Sequence, residues 1–171
     1  HSQGKFLEFI SNMIRPENIL EIGTFTGYSA ICLARGMKKG GNLITIELND
    51  ELTAFAHSYF CRAAVESKIT QMTGRAQDII PSLDQIFDLV YIDGDKREYT
   101  EYYKLVIDKV KPGGFILADN LIWGGKALDG DTTDPQTGGI IAFNEMIKKD
   151  STIEKVIIPL RDGLMMIRKK G

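Results

Sequence analysis

Residues Asn18 to Ser29 read NILEIGTFTGYS: an apolar run of strand length, a turn set between Gly23 and Gly27, then the opening of a helical period in Tyr28 to Met37. A strand that passes through a glycine turn into a helix is the first half of a β–α crossover, and the pattern repeats outward from it. Asn42–Glu47 is a second strand, followed by a helix from about Asp50 to Glu66. Lys68–Thr73 is a third strand, with a short helix over Ala76–Leu83. Phe87–Asp93 is a fourth strand, with a helix over Glu98–Val110 that ends at Lys111-Pro112-Gly113-Gly114. Phe115–Asp119 is a fifth. Strands that alternate with helices predict a mainly parallel sheet in an α/β fold. The end breaks the rule. After a helix over Ile140–Lys149, two strand-like runs, Glu154–Pro159 and Leu164–Arg168, flank an Asp162-Gly163 hairpin signal, so an antiparallel pair closes the sheet. The Gly-, Asp- and Thr-rich stretch from Leu121 to Gly139 is long for a loop in a small domain and is read as functional or mobile.

The chain has 171 residues, the length of one domain, and neither a repeat nor a linker divides it. Lys plus Arg number 21 and Asp plus Glu 23, a net charge of −2, which argues against broad attraction to nucleic acid or to an anionic membrane. No apolar run approaches the roughly 18 residues of a spanning helix, and no basic–apolar leader opens the sequence, so a cytoplasmic location is expected. The first residue is His1 and not Met, and an amphipathic segment follows at once, so the protein is expected to be longer in front. Cys32 and Cys61 are read as buried, inert thiols, and His57 has no ligand cluster around it that zinc could use.

The chemistry gathers at the carboxyl ends of the strands. Phe25 stands where the dinucleotide fingerprint needs its second glycine, so a cofactor without a pyrophosphate fits the Gly23–Gly27 turn better than NAD. Glu47 ends the second strand, where a carboxylate can accept both hydroxyls of a ribose. Gln77, after the third strand, is placed to read an adenine edge, while Asp78 is read equally as a cap or as part of that pocket. Asp93 and Asp119 end adjacent strands and Asn120 follows directly, an all-oxygen set suited to a hard divalent cation such as Mg²⁺, or Mn²⁺ or Ca²⁺. Asp95 is read as an N-cap paired with Glu98. Lys96 leaves the same strand as Asp93, and an amine beside a divalent cation is suited to act as general base. Trp123 either walls a flat aromatic acceptor or anchors its loop. Tyr99, Tyr102 and Tyr103 are assigned to packing.

Together these residues resemble the metal-dependent O-methyltransferases of the class I, S-adenosylmethionine (SAM)-dependent fold, which include catechol and caffeoyl-CoA O-methyltransferases and many bacterial relatives. The likeness spans nearly the whole chain. Its most specific parts are Glu21-Ile22-Gly23-Thr24-Phe25-Thr26-Gly27-Tyr28-Ser29, Asp93-Gly94-Asp95-Lys96 and Asp119-Asn120-Leu121-Ile122-Trp123-Gly124. The resemblance implies a Rossmann-like, seven-stranded sheet ordered 3-2-1-4-5-7-6 with the last strand antiparallel and helices on both faces. It implies that Glu21, Gly23, Thr24 and Ser29 surround the methionine part of SAM, with Asp93 beside them, that Glu47 holds the ribose, and that Ala76 and Gln77 border the adenine. It implies Asp93, Asp119 and Asn120 as metal ligands, Lys96 as base, and a homodimer. Family members carry helices ahead of the Gln3-Gly4 segment, so residues 1–171 are expected to be the catalytic domain without those covering helices. Gly124 replaces an asparagine of the plant members and speaks against caffeoyl-CoA. The expected reaction is methyl transfer to a hydroxyl of a catechol-like, hydroxylated aromatic small molecule. A hydroxyuridine of tRNA ranks behind it as acceptor, and a non-catalytic nucleotide-binding domain comes third.

Overall fold

The computed structural model describes residues 2–129 and 133–171. Helix α1 (Ser2–Ile14) leads into β1 (Asn18–Ile22), α2 (Tyr28–Gly36), β2 (Asn42–Glu47), α3 (Glu51–Arg62), β3 (Ile69–Thr73) and α4 (Ala76–Ile79). Then come β4 (Phe87–Ile92), α5 (Tyr99–Val106), β5 (Val110–Ala118), α6 (Lys126–Asp129), α7 (Pro135–Lys149), β6 (Ile153–Ile158) and β7 (Leu164–Lys169). The sheet has seven strands in the order β3-β2-β1-β4-β5-β7-β6, as expected. The first five strands in sequence pair in parallel, and β7 runs antiparallel to both β5 and β6.

Burial explains the composition of the strands. Every residue of β4 is buried, which is why FDLVYI shows no polar alternation; a parallel strand covered on both faces has no wet side. One core face joins Leu7, Leu33, Phe60 and Tyr91 under α1, α2 and α3, and the other joins Tyr99, Val106, Ile140 and Phe143 under α5 and α7. Strand order reverses between β1 and β4, so their carboxyl ends open a crevice at the switch point. Among the described residues, no helix is long and apolar enough to cross a membrane.

Four local expectations change. Helix α3 stops at Arg62, short of Glu66, because Ala64 takes a left-handed φ of 54° and Val65 N–H turns back to Phe60 O at 3.1 Å. Strand β5 begins at Val110 and runs through Lys111-Pro112-Gly113-Gly114, which makes a bulge inside the strand where a helix stop was expected: Phe87 pairs with Val110, and pairing resumes at Leu89 with Phe115. Helix α7 begins at Pro135, ahead of Ile140, since Asp134 caps it by accepting from Gln136 N at 3.1 Å and from Thr137 Oγ1 at 2.8 Å. Cys32 is buried as expected, but Cys61 is exposed on α3, with His57 Nε2 3.5 Å from its sulfur.

Candidate active site

Two adjoining clefts, of about 350 and 460 Å³, open beyond the carboxyl ends of the strands and share Gly23, Phe25 and Asp93. Glu47, Ala76 and Gln77 line the second; Thr24, Ser29, Asp119 and Asn120 line the first.

The turn after β1 is shaped by two glycines for different reasons. Gly23 has φ 99°, and a Cβ there would come within 2.5 Å of Asp93 O, so its lack of a side chain lets the ends of β1 and β4 meet. Gly27 has φ 80° and faces the Phe60 ring of α3, so its missing side chain serves helix packing. At the rim, Glu47 accepts from Phe25 N at 2.8 Å with one carboxylate oxygen and from Asn49 N at 3.0 Å with the other. Each oxygen keeps a lone pair, so the group is oriented while still able to accept two hydroxyls. Gln77 lies beside the same cleft with its amide 3.4 Å from Glu101, and Asp78 is exposed and makes no cap.

Beneath the turn, Glu21 is fully buried. Its Oε2 accepts from Thr45 Oγ1 at 2.5 Å, Thr45 and Thr24 hydroxyls stand 2.5 Å apart, and Oε1 has no partner among the described residues. Burial pushes this carboxyl up to about 7 against the pull of the Ser29 and Thr45 hydroxyls. An orphaned carboxylate oxygen under a glycine turn fits a cationic ligand group, as SAM would supply.

The raised value has a stability consequence. The folded chain holds a proton that the unfolded chain releases near 4.5, so the stabilisation is complete below that pH and is lost as pH rises to about 7. The interval is worth about 3 kcal/mol. Glu21→Gln should therefore flatten the fall in stability of the ligand-free protein between pH 5 and 8, as followed by urea unfolding. An identical pH course in the variant would refute the protonated carboxyl.

At the other end of the crevice, Asp93 N donates to Ile22 O at 2.9 Å and Asp119 N to Ile92 O at 3.0 Å, which carries the parallel ladder one step past each strand. The two carboxylates thus stand side by side, and Asn120 follows at φ 62°. Asp119 is buried: one oxygen accepts from Tyr91 OH at 3.0 Å and from the Gln3 amide, the other from Asn120 N at 2.8 Å. Burial raises the Asp93 carboxyl, the Asp119 charge raises it further, and Lys96 opposes both. Two half-compensated carboxylates beside an amide carbonyl form an oxygen donor set that fits a hard divalent cation. Among the described residues no three His, Cys, Asp or Glu side chains converge to hold a metal ion.

Lys96 is buried behind Asp93 and is not part of the cleft wall. Its Nζ donates to Asp93 Oδ1 at 2.7 Å and to Tyr99 OH at 2.6 Å, and Tyr99 OH in turn faces the carbonyls of Ile92 and Asp119 at 3.1 and 3.0 Å. Helix α7 seats the Lys96 turn: Gln136 Oε1 accepts from Lys96 N at 3.0 Å, and Gly139 packs so closely that a Cβ would lie 2.3 Å from Lys96 O. Asp95 caps that turn through Arg97 N at 3.0 Å, while Glu98 turns away to accept from Tyr102 OH at 2.6 Å, so only half of the expected pair forms. Trp123 packs against the core and donates to Asp134 Oδ2 at 3.2 Å, which anchors its loop; it does not line either cleft.

Sequence reasoning missed Gln3, Tyr91, Tyr99 and Arg161 at this site. Tyr91 shares a face of β4 with Asp93, and Tyr99 follows Lys96 by one helical turn, so both had a local signal. Gln3 and Arg161 had none.

The sequence model of the O-methyltransferase family matches residues 1–170. Over 163 residues the chain is 39% identical to a catechol O-methyltransferase from Niastella koreensis, covering 93% of this chain and 74% of that one. A caffeoyl-CoA O-methyltransferase from Eucalyptus globulus is 29% identical, with coverages of 98% and 72%. Among solved structures, the O-methyltransferase TomG from Streptomyces achromogenes, in complex with SAM, superposes with a TM-score of 0.94 at 34% identity, covering 99% of this chain and 80% of its own. An O-methyltransferase from Bacillus cereus bound to SAH gives 0.93 at 31% identity, with coverages of 99% and 81%.

Proposed function

The chain belongs to the O-methyltransferase family, and from that premise we propose that it moves the methyl group of SAM to one hydroxyl of a catechol-like small molecule with the help of a divalent cation. The observation that carries the reading is that Asp93, Asp119 and Asn120 line one cleft beyond the ends of β4 and β5, with Lys96 hydrogen-bonded to Asp93 directly behind that wall. SAM supplies a methyl group made electrophilic by its sulfonium charge. Glu47 takes the ribose hydroxyls, Ala76 and Gln77 border the adenine, and Gly23, Thr24, Ser29 and buried Glu21 receive the methionine end. The oxygens of Asp93, Asp119 and Asn120 would hold Mg²⁺, Mn²⁺ or Ca²⁺, whose charge lowers the pKa of a nearby hydroxyl and orients vicinal oxygens. Lys96 is the base of this reading: in its uncharged form, held by Tyr99 and Asp93, its Nζ takes up the proton of the reacting hydroxyl by way of the Asp93 carboxylate that stands between it and the cleft. The oxygen then takes the methyl in line, and S-adenosylhomocysteine is released. Holding oxygen and methyl at near-attack distance removes most of the entropic barrier.

Turnover of a catechol with SAM should be strong in Mg²⁺ and fall by about a hundredfold or more in EDTA, a loss of about 3 kcal/mol in transition-state stabilisation. Undiminished turnover in EDTA would refute the cation's role. Methyl incorporation into undermodified tRNA, with none into catechols, would overturn the acceptor class.

A further inference from the structure

Arg161 is the second residue of the turn Leu160–Gly163 between β6 and β7, which Gly163 N closes by donating to Leu160 O at 3.0 Å. Its φ is 52°, a region where glycine is the ordinary turn residue and a side chain is strained. A long cation kept at such a position points to a use beyond the turn itself. The turn is also rigidly placed. Leu121 N donates to Gly163 O at 3.0 Å, Ile122 N to Asp162 O at 2.7 Å and Gly124 N to Asp162 Oδ1 at 3.2 Å. Gly163 packs so tightly that a Cβ would lie 2.6 Å from Ile122 Cγ1. These contacts fasten the turn to the segment directly after Asp119-Asn120.

Arg161 therefore lines the same cleft as Asp93, Asp119, Asn120 and Gln3. Its guanidinium donates at 3.2 Å to the neutral Gln3 amide oxygen, and among the described residues it has no other side-chain partner and no carboxylate partner. The other cation at this end, Lys96, is committed to Asp93. The guanidinium is exposed, and its planar fork, matched to a carboxylate, keeps most of its donors free. Among the described residues that line this cleft, Arg161 is the one cationic side chain, so it is the wall's own partner for an anionic group entering with the acceptor.

We propose that Arg161 selects acceptors whose catechol ring carries a carboxylate, by pairing with that group at the mouth of the cleft. The inference rests on the methyl-transfer reading above and adds the charge of the substrate to it. If Arg161 served only to orient Gln3, its loss would affect charged and neutral acceptors alike.

The test compares kcat/KM for protocatechuate and for its carboxamide, which share the catechol ring and differ in charge. Wild-type protein should prefer the carboxylate by about tenfold or more, mainly through KM, the size of a charge-assisted hydrogen-bonded pair. Arg161→Gln should bring the ratio to near one, and Arg161→Lys should retain most of it. A wild-type ratio near one, or a wild-type ratio preserved in Arg161→Gln, overturns the proposal while leaving methyl transfer to catechols intact. Protein that binds SAH yet methylates neither compound overturns the small-molecule reading, and this proposal with it.

Discussion

Lys96→Met is expected to lower kcat for catechol methylation by about two to four orders of magnitude, the range associated with loss of a positioned acid–base group. The substitution keeps an unbranched chain of similar length in a buried slot, so the Lys96 turn, held by Gln136 and by the close packing of Gly139, should keep its shape. What disappears is the amine between Asp93 and Tyr99. The pH profile separates a base from a mere packing residue. If Lys96 takes the proton, the variant's deficit should shrink as pH rises, because the acceptor hydroxyl then ionises without help. A structural role predicts a deficit of the same size at every pH, and wild-type kcat throughout would remove the assignment. Asp93 adds a second readout: with Lys96 gone, burial and the Asp119 charge are opposed only by the weaker pull of the Tyr91 hydroxyl, so its carboxyl should hold its proton to higher pH than in the wild type.

The parts of this site that were legible in the sequence lie on continuous local patterns. The run from Asn18 to Ser29 displays strand, turn and helix in order, and the apolar run Leu89–Ile92 of β4 leads directly to Asp93, so a carboxylate at a strand terminus could be read directly. The Asp162-Gly163 pair likewise announced the antiparallel close of the sheet. Errors came where one residue type serves two purposes. Pro112 and the glycines after it normally stop an element, yet here they form an excursion within β5, because Val110 is already paired with Phe87. The Asp134-Pro135 start of α7 was a cap signal hidden in a stretch whose composition reads as loop. Tyr99 looked like a packing residue because helix periodicity reports burial and not what a phenol meets at the end of a neighbouring strand. Gln3 touches Asp119 from 116 positions away and Arg161 touches Gln3 from 158, so only the assembled sheet brings these groups together.

Asp119→Ala should cost the protein both activity and stability, and the two losses can be pulled apart. Asp119 is buried and accepts from Tyr91 OH, from the Gln3 amide and from Asn120 N, so its removal strands the Tyr91 hydroxyl and the Asn120 N–H, while the Gln3 amide keeps the Tyr91 oxygen as a partner. Each unsatisfied group costs about 1–3 kcal/mol, and relief of the like charge beside Asp93 returns part of that, so a net loss of about 2–4 kcal/mol is expected in chemical unfolding. Mg²⁺-dependent methylation should fall by about a thousandfold, since one of two carboxylates of the proposed cation site is gone. Tyr91→Phe introduced into the same chain removes the stranded hydroxyl at little change in shape but also takes the remaining acceptor from the Gln3 amide, so the double variant should recover about 1 kcal/mol of stability at most. It should recover no activity. Recovery of both together would mean that Asp119 matters only through folding, whereas recovery of stability alone ties its carboxylate to the chemistry. Residual turnover that no longer responds to EDTA would agree with that second outcome, because a lone Asp93 already bonded to Lys96 is a poor site for a divalent cation.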